Sequence, residues 1–359
     1  MSLLLYILTL LFSVFFASMA TKRIVYEKNI LNISVANLFL SLAMIALLVG
    51  LRGAEVGTDT FYYIDEFHNR YNQFDFNNIF QNYLEPGHGI IAFFLNYIGS
   101  NSSIYLLTFS SLSLFFFFLF YKGKKEYLPW AIFFAFCIGF VFFMMNGLRQ
   151  ALAITIFALS VKYVTERNLY KFILIVLCAS LFHYSALLML PIYFINYFSR
   201  FGYKFWAILF IASIFISPFS SFELLKNVLS LFPKDYSSYL YIIDTSGSKF
   251  TMGFLYHLVL SFLSLYLSTK VYHNKFNKNI LNLYFIGVVL MTATYQVEIM
   301  QRLVIYFIFF QIPFMAHITY RLNKNNHRGL VVLIALLYFV GFIYKIIVGD
   351  SGCCPYEFA

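Results

Sequence analysis

Four short stretches of this chain carry the side chains capable of chemistry, and each lies at or within a long apolar run. The first is Arg52-Gly53 followed by Val56-Gly57-Thr58-Asp59 and Tyr63. The second is Asn146-Gly147-Leu148-Arg149-Gln150, and the third is Phe182-His183-Tyr184-Ser185-Ala186. The fourth is Glu298 with Arg302 and Tyr306. An arginine is a permanently charged planar fork that grips phosphate oxygens in pairs. A histidine can take up a proton near neutral pH. Ionisable groups at membrane depth are costly, so they tend to face a cavity and mark a functional site.

Each stretch also admits a plainer reading. Arg52, with two glycines nearby, lets backbone N–H groups approach an anion beside its guanidinium; equally, Arg52 snorkels and Asp59 only caps a helix. Arg149 follows an Asn-Gly turn and falls in the first turn of the next helix, which suits a phosphate but also suits an interfacial anchor. His183 has apolar neighbours and no carboxylate nearby in sequence, so it is a structural histidine or a proton acceptor. Glu298 and Arg302 are spaced for an intrahelical ion pair. Alternatively Arg302 faces a cavity with Glu298 orienting it, or Glu298 is itself the base.

Other chemistries find no signature. Gly-x-Ser-x-Gly, a Walker loop and His-Glu-x-x-His are all missing from the sequence, which removes hydrolases and ATPases built on them. The four cysteines show neither Cys-x-x-C nor Cys/His metal spacing, so no metal and no cofactor are expected. Cys137 and Cys178 lie in apolar runs, and Cys353 and Cys354 are adjacent near the end.

The elements that position these residues are membrane helices. Of 359 residues 61% are hydrophobic and 11% charged, whereas a soluble domain is roughly 45–50% apolar and about 25% charged. The net charge of +10 is spread over short basic clusters between apolar runs, a topological pattern rather than a nucleic-acid surface. Candidate spans are 3–20, 32–51, 104–121, 129–146, 148–165, 203–219, 252–271, 280–296, 302–320 and 329–348. Segment 170–198 is too long for one crossing and short for two, which predicts a bent pair of helices around His183. Stretch 89–99 is too short to cross and predicts a re-entrant or interfacial helix. The expected class is an all-α polytopic membrane protein of about 10–12 transmembrane helices with short external re-entrant or amphipathic helices.

Positive-inside asymmetry orients the chain. Connectors 21–28, 122–128, 162–171, 199–204, 270–279 and 321–328 hold 17 of the 25 Lys/Arg and only 3 of the 15 acids. Placing them in the cytoplasm puts both termini outside, with 3–20 a retained helix. It also puts Arg52, Asp59, Arg149, His183, Glu298 and Arg302 on the outer side. Residues 1–359 then form one integral membrane domain, with external loops at 52–88 and 218–252. Within the first, Phe61 to His68 reads as an amphipathic helix lying in the interface, with Thr58 or Asp59 as its N-cap.

The four stretches, in this order and spacing, resemble the EpsG family of bacterial exopolysaccharide polymerases, a Wzy-like group. The likeness runs from about residue 50 to the end, where Pro355-Tyr356 also matches. One departure is His88 in Glu85-Pro86-Gly87-His88, where the pattern has an aromatic after the glycine. The resemblance implies a multi-pass protein of the bacterial inner (cytoplasmic) membrane. Its substrates would be oligosaccharide repeat units on polyprenyl diphosphate, and its partners a chain-length regulator and a flippase as well as membrane lipids. Arg149 and Arg302, then Arg52, would meet the diphosphate. His183 would be the base, with Glu298 or Asp59 second. Thr58, Tyr63, Asn146, Gln150, Ser185 and Tyr306 would line the substrate. Rival classes are a membrane O-acyltransferase, a glycan ligase and a lipid-linked oligosaccharide flippase; charge gathered at one end of the helices argues against alternating access.

Overall fold

The structure, a computed structural model, describes residues 2–21, 30–71, 85–200, 202–216, 252–269, 274–295 and 298–359. The second external loop expected at 218–252 therefore lies almost entirely outside the described residues. So do Gln296 and the side chain of Glu298.

Among the described residues the protein is all-α, with fifteen α-helices and no strand. The helices are α1 Ser2–Thr21, α2 Ile30–Gly50, α3 Thr60–Asn69, α4 Pro86–Tyr97, α5 Ser102–Phe120, α6 Leu128–Ile138, α7 Phe140–Asn146 and α8 Leu148–Thr165. They continue with α9 Leu169–Ser180, α10 Tyr203–Ile216, α11 Met252–Ser268, α12 Lys275–Ala293, α13 Glu298–Ile308, α14 Gln311–Lys324 and α15 Arg328–Val348. A 3-10 helical stretch, Tyr184–Arg200, follows α9. Asparagine side chains start several helices: Asn101, Asn168 and Asn274 accept from the backbone N–H of Ile104, Lys171 and Asn277 at 2.9, 3.1 and 2.9 Å, each satisfying a donor the helix leaves unpaired.

Among the described residues, five helical runs are long and apolar enough to cross a bilayer: Ser2–Thr21, Ser102–Phe120, Leu148–Thr165, Met300–Lys324 and Arg328–Val348. α6 and α7 make a sixth candidate, bent by 59°, so the single span expected over 129–146 is in fact broken. The break falls at Gly139, where Lys345 Nζ donates to the freed carbonyl of Ile138 at 2.6 Å. Other apolar helices, including α9 and α10, are shorter, at 10–17 residues. The polytopic class holds, with fewer full-length spans among the described residues than the ten to twelve expected. As expected, 170–198 is a broken pair and the stretch at 89–99 is a short helix, α4.

The chain divides into two compact units, Met1–Tyr193 with Met315–Ala359, and Phe194–Phe314. In the first, α1 packs on α2, α2 on α5, α5 and α9 on α8, and α6 on α1 and α15. α8 is central and almost wholly buried, whereas α15 leaves Val332, Leu336, Val340 and Ile347 exposed. Apolar residues on an outward face are what lipid selects. In the second unit α10 packs on α12, where buried Trp206 Nε1 donates to Asn282 Oδ1 at 3.0 Å. The hydroxyls of Ser264 and Tyr284, 3.0 Å apart, join α11 to α12.

Candidate functional site

Loop 51–59 leaves α2 and enters α3 under a double clamp. Arg52 is fully buried rather than at the surface as expected. Its Nε donates to Thr60 Oγ1 at 3.0 Å, its Nη2 to the Met145 carbonyl at 2.8 Å, and its Nη1 to the Val49 carbonyl. Burial brings its pKa down to about 10, which still leaves it cationic at neutral pH. One guanidinium thus ties the ends of α2 and α7 to the start of α3, and its fork is occupied by protein oxygens. The C-terminal tail is the second clamp. Gly53 N–H donates to the Glu357 carbonyl at 2.8 Å and Ala359 N–H to the Leu51 carbonyl at 3.0 Å.

Asn146 closes the same corner. Its Oδ1 accepts from Thr58 N–H at 2.6 Å and Thr58 Oγ1 at 3.1 Å, while its Nδ2 donates to the Ser351 carbonyl at 2.9 Å. Gly57 has φ +94°, and a Cβ there would stand 2.8 Å from Asn146 Oδ1. Asp59 occupies the N-cap position of α3 without bonding its backbone; its Oδ1 accepts from Thr58 Oγ1 at 3.0 Å. Thr58 and Asn146, expected at the substrate, bind one another.

This scaffold carries a polar chain. Arg149, in the first turn of α8, sets Nη1 3.2 Å from Glu85 Oε2 and 3.8 Å from Glu66 Oε2. Its guanidinium lies over the Tyr63 ring, 5.6 Å from the centroid, within cation–π range. Glu66 also pairs with Arg70 at 2.8 Å. Glu85 Oε1 in turn lies against His183 Nδ1. The side chain of Glu85 is only 7% exposed, while Arg149 and His183 keep 26% and 32%. The carboxylate is therefore inside, and the cation and the imidazole both reach the surface. Tyr63 donates its hydroxyl to the Asn146 carbonyl at 3.0 Å, and burial raises its pKa to about 12, so it stays a neutral donor.

Glu85 meets His183 because the backbones dock. Gly87 N–H donates to the Leu181 carbonyl at 2.9 Å, and a Cβ on Gly87 would come within 2.8 Å of Leu181 Cβ. Only a glycine lets the start of α4 sit on the turn after α9. Next to it, His88 is fully buried, its Nε2 2.7 Å from Tyr105 Oη and its Nδ1 3.2 Å from Tyr71 Oη. Burial, with Arg149 and Arg70 nearby, holds the pKa of His88 well below the usual histidine value.

Of the residues singled out from sequence, Tyr63, Arg149 and His183 are brought together, with Asn146 beside them. Gln150 is buried and Ser185 half-buried. Arg302 is exposed and Tyr306 fully buried, both in the second unit with Glu298. Sequence reasoning missed Glu66 and Glu85. Glu66 shares a face of α3 with Tyr63 by its three-residue spacing; Glu85 directly precedes Pro86-Gly87, a helix start.

A model of the EpsG family matches residues 35–358, nearly the whole chain. The chain belongs to the EpsG family. The match includes the clamped loop, Glu85, Arg149, His183 and almost all of the C-terminal tail. Membership makes this, broadly, a Wzy-like polymerase-type membrane protein. No curated protein and no solved structure matches this EpsG-family chain.

Proposed function

We propose that this EpsG-family protein is a polysaccharide polymerase. It transfers a growing glycan from polyprenyl diphosphate to a hydroxyl of the next lipid-linked repeat unit, at the outer face of a bacterial cytoplasmic membrane. The observation that carries the reading is the meeting of Arg149 and His183 across one buried carboxylate. In this step the acceptor oxygen bonds to the anomeric carbon as the bond from that carbon to the diphosphate oxygen breaks. The hydroxyl proton passes to His183 Nε2, and polyprenyl diphosphate departs carrying the extra charge. Arg149, at a helix N-terminus, stabilises that charge as it develops. A flippase and a chain-length regulator are the partners this reading expects.

The test is the pool of lipid-linked intermediates in cells carrying His183→Gln at normal membrane levels. Glutamine keeps hydrogen bonding but cannot take the proton, so polymer should fall by about 10²–10⁴ in rate. Single repeat units should collect at the outer leaflet. Units held at the inner leaflet would point to a flippase, and normal polymer would remove His183 as the base.

A further inference from the structure

We infer that Glu85 is a positioning residue for His183: its carboxylate fixes the imidazole with the proton on Nδ1, so the lone pair at Nε2 is presented outward. This rests on the polymerase reading only for what the lone pair is used on. The geometry stands without it. Glu85 Oε1 is in contact with His183 Nδ1, and no described residue partners Nε2. A neutral imidazole has one N–H and one lone pair, so an acceptor at Nδ1 leaves the lone pair at Nε2. A carboxylate behind an imidazole holds the ring's orientation and stabilises the imidazolium that forms when Nε2 takes a proton.

The second oxygen of Glu85 supports the same role. Oε2 is buried and accepts no hydrogen bond from a described residue; it faces Arg149 at 3.2 Å as an ion pair only. Glu85 therefore spans the two surface-reaching groups, one oxygen on each. Its place is set by backbone rather than by side-chain packing alone, through the bonds from Gly87 and His88 N–H to the Leu181 carbonyl at 2.9 and 3.4 Å. Arg149 from α8 faces Glu85, and Glu66 and Tyr63 from α3 face Arg149 in turn. When an anionic diphosphate takes over Arg149, Glu85 loses a competing cation and becomes the stronger acceptor for Nδ1–H.

The test reads the tautomer directly. Protein labelled with ¹⁵N in histidine is placed in lipid nanodiscs, and the His183 resonances are assigned by their loss in His183→Gln. The wild type should show neutral His183 protonated at Nδ1. Glu85→Leu should move the proton towards Nε2, and Glu85→Asp should partly restore Nδ1. In cells, Glu85→Gln should lower polymer per inserted protein by about 10²-fold or more, with Glu85→Asp recovering part of it. If the Nδ1 signal is unchanged in Glu85→Leu, or if Glu85→Leu misassembles and Glu85→Gln makes polymer normally, the inference is overturned. If the tautomer shifts but His183→Gln and Arg149→Lys both polymerise normally, Glu85 still positions His183 and it is the polymerase reading that fails.

Discussion

Arg149 is the side chain on which a lysine cannot stand in. Its Nη1 faces two carboxylates at once, and its guanidinium lies over the Tyr63 ring. An ammonium is a point charge that reproduces neither the planar fork nor its paired grip on diphosphate oxygens. Arg149→Lys should therefore lose nearly as much polymer as Arg149→Ala at equal membrane level, whereas an interfacial anchor would tolerate lysine. His88 gives a prediction of a different kind. Its folded pKa lies well below the 6.5 of a free histidine, chiefly through burial. A histidine whose pKa falls on folding stabilises the fold above that free value, and the contribution drains away as pH drops below it. The thermal midpoint of purified protein should thus fall between about pH 7.5 and pH 5.5. His88→Phe should flatten that slope while leaving the hydroxyls of Tyr71 and Tyr105 without their ring nitrogens, costing about 1–3 kcal/mol near neutrality. An unchanged slope in His88→Phe would assign the acid sensitivity to another group.

At the scale of elements, α3 shows what period alone can convey. Phe61, Tyr62, Tyr63 and Phe67 recur at helical spacing, and the helix forms with Tyr63 and Phe67 buried and Phe61 and Tyr62 exposed. The broken pair around His183 and the short helix at 86–97 were legible from run length for the same reason. What escaped the sequence is long-range. Glu85 and His183 lie 98 positions apart, and no local pattern announces that a glycine at 87 lets their backbones touch. Arg52 was misplaced because an arginine after an apolar run looks identical whether it snorkels or turns inward to three oxygens. The antiparallel bridge between Arg52 and Phe358 belongs to the same class of contact. Gly57 tests the clamp built there. Its φ of +94° and the 2.8 Å approach to Asn146 Oδ1 leave no room for a side chain. Gly57→Ala should destabilise the first unit by about 1–3 kcal/mol, read as a lower thermal midpoint. It should also raise proteolysis of the tail around Ser351. A tail that stays protected would mean that the loop and the tail are held independently.

At the scale of the molecule, the first unit has two chemically different ends. At one end the termini meet: Tyr356 N–H donates to Ser2 Oγ at 2.8 Å and Tyr6 Oη to the Cys353 carbonyl at 2.6 Å. The Arg149–Glu85–His183 chain lies at this end, since α8 begins there and α9 finishes there. At the other end sit basic connectors, where the Tyr127 ring packs edge-on against His317 and Tyr320 at 5.4 and 5.0 Å. Helices that start at one end finish at the other, so fixing the side of one connector fixes the side of the site. The excess of Lys/Arg in 122–128 and 321–328 argues that this end is cytoplasmic. In a cysteine-less background, Lys124→Cys should resist an impermeant thiol reagent applied outside and react once the membrane is opened. Phe358→Cys, at a residue 62% exposed, should react from outside in intact cells. The opposite labelling pattern would turn Arg149 and His183 towards the cytoplasm. Chain growth on lipid-linked units at the outer leaflet would then have no site in this protein.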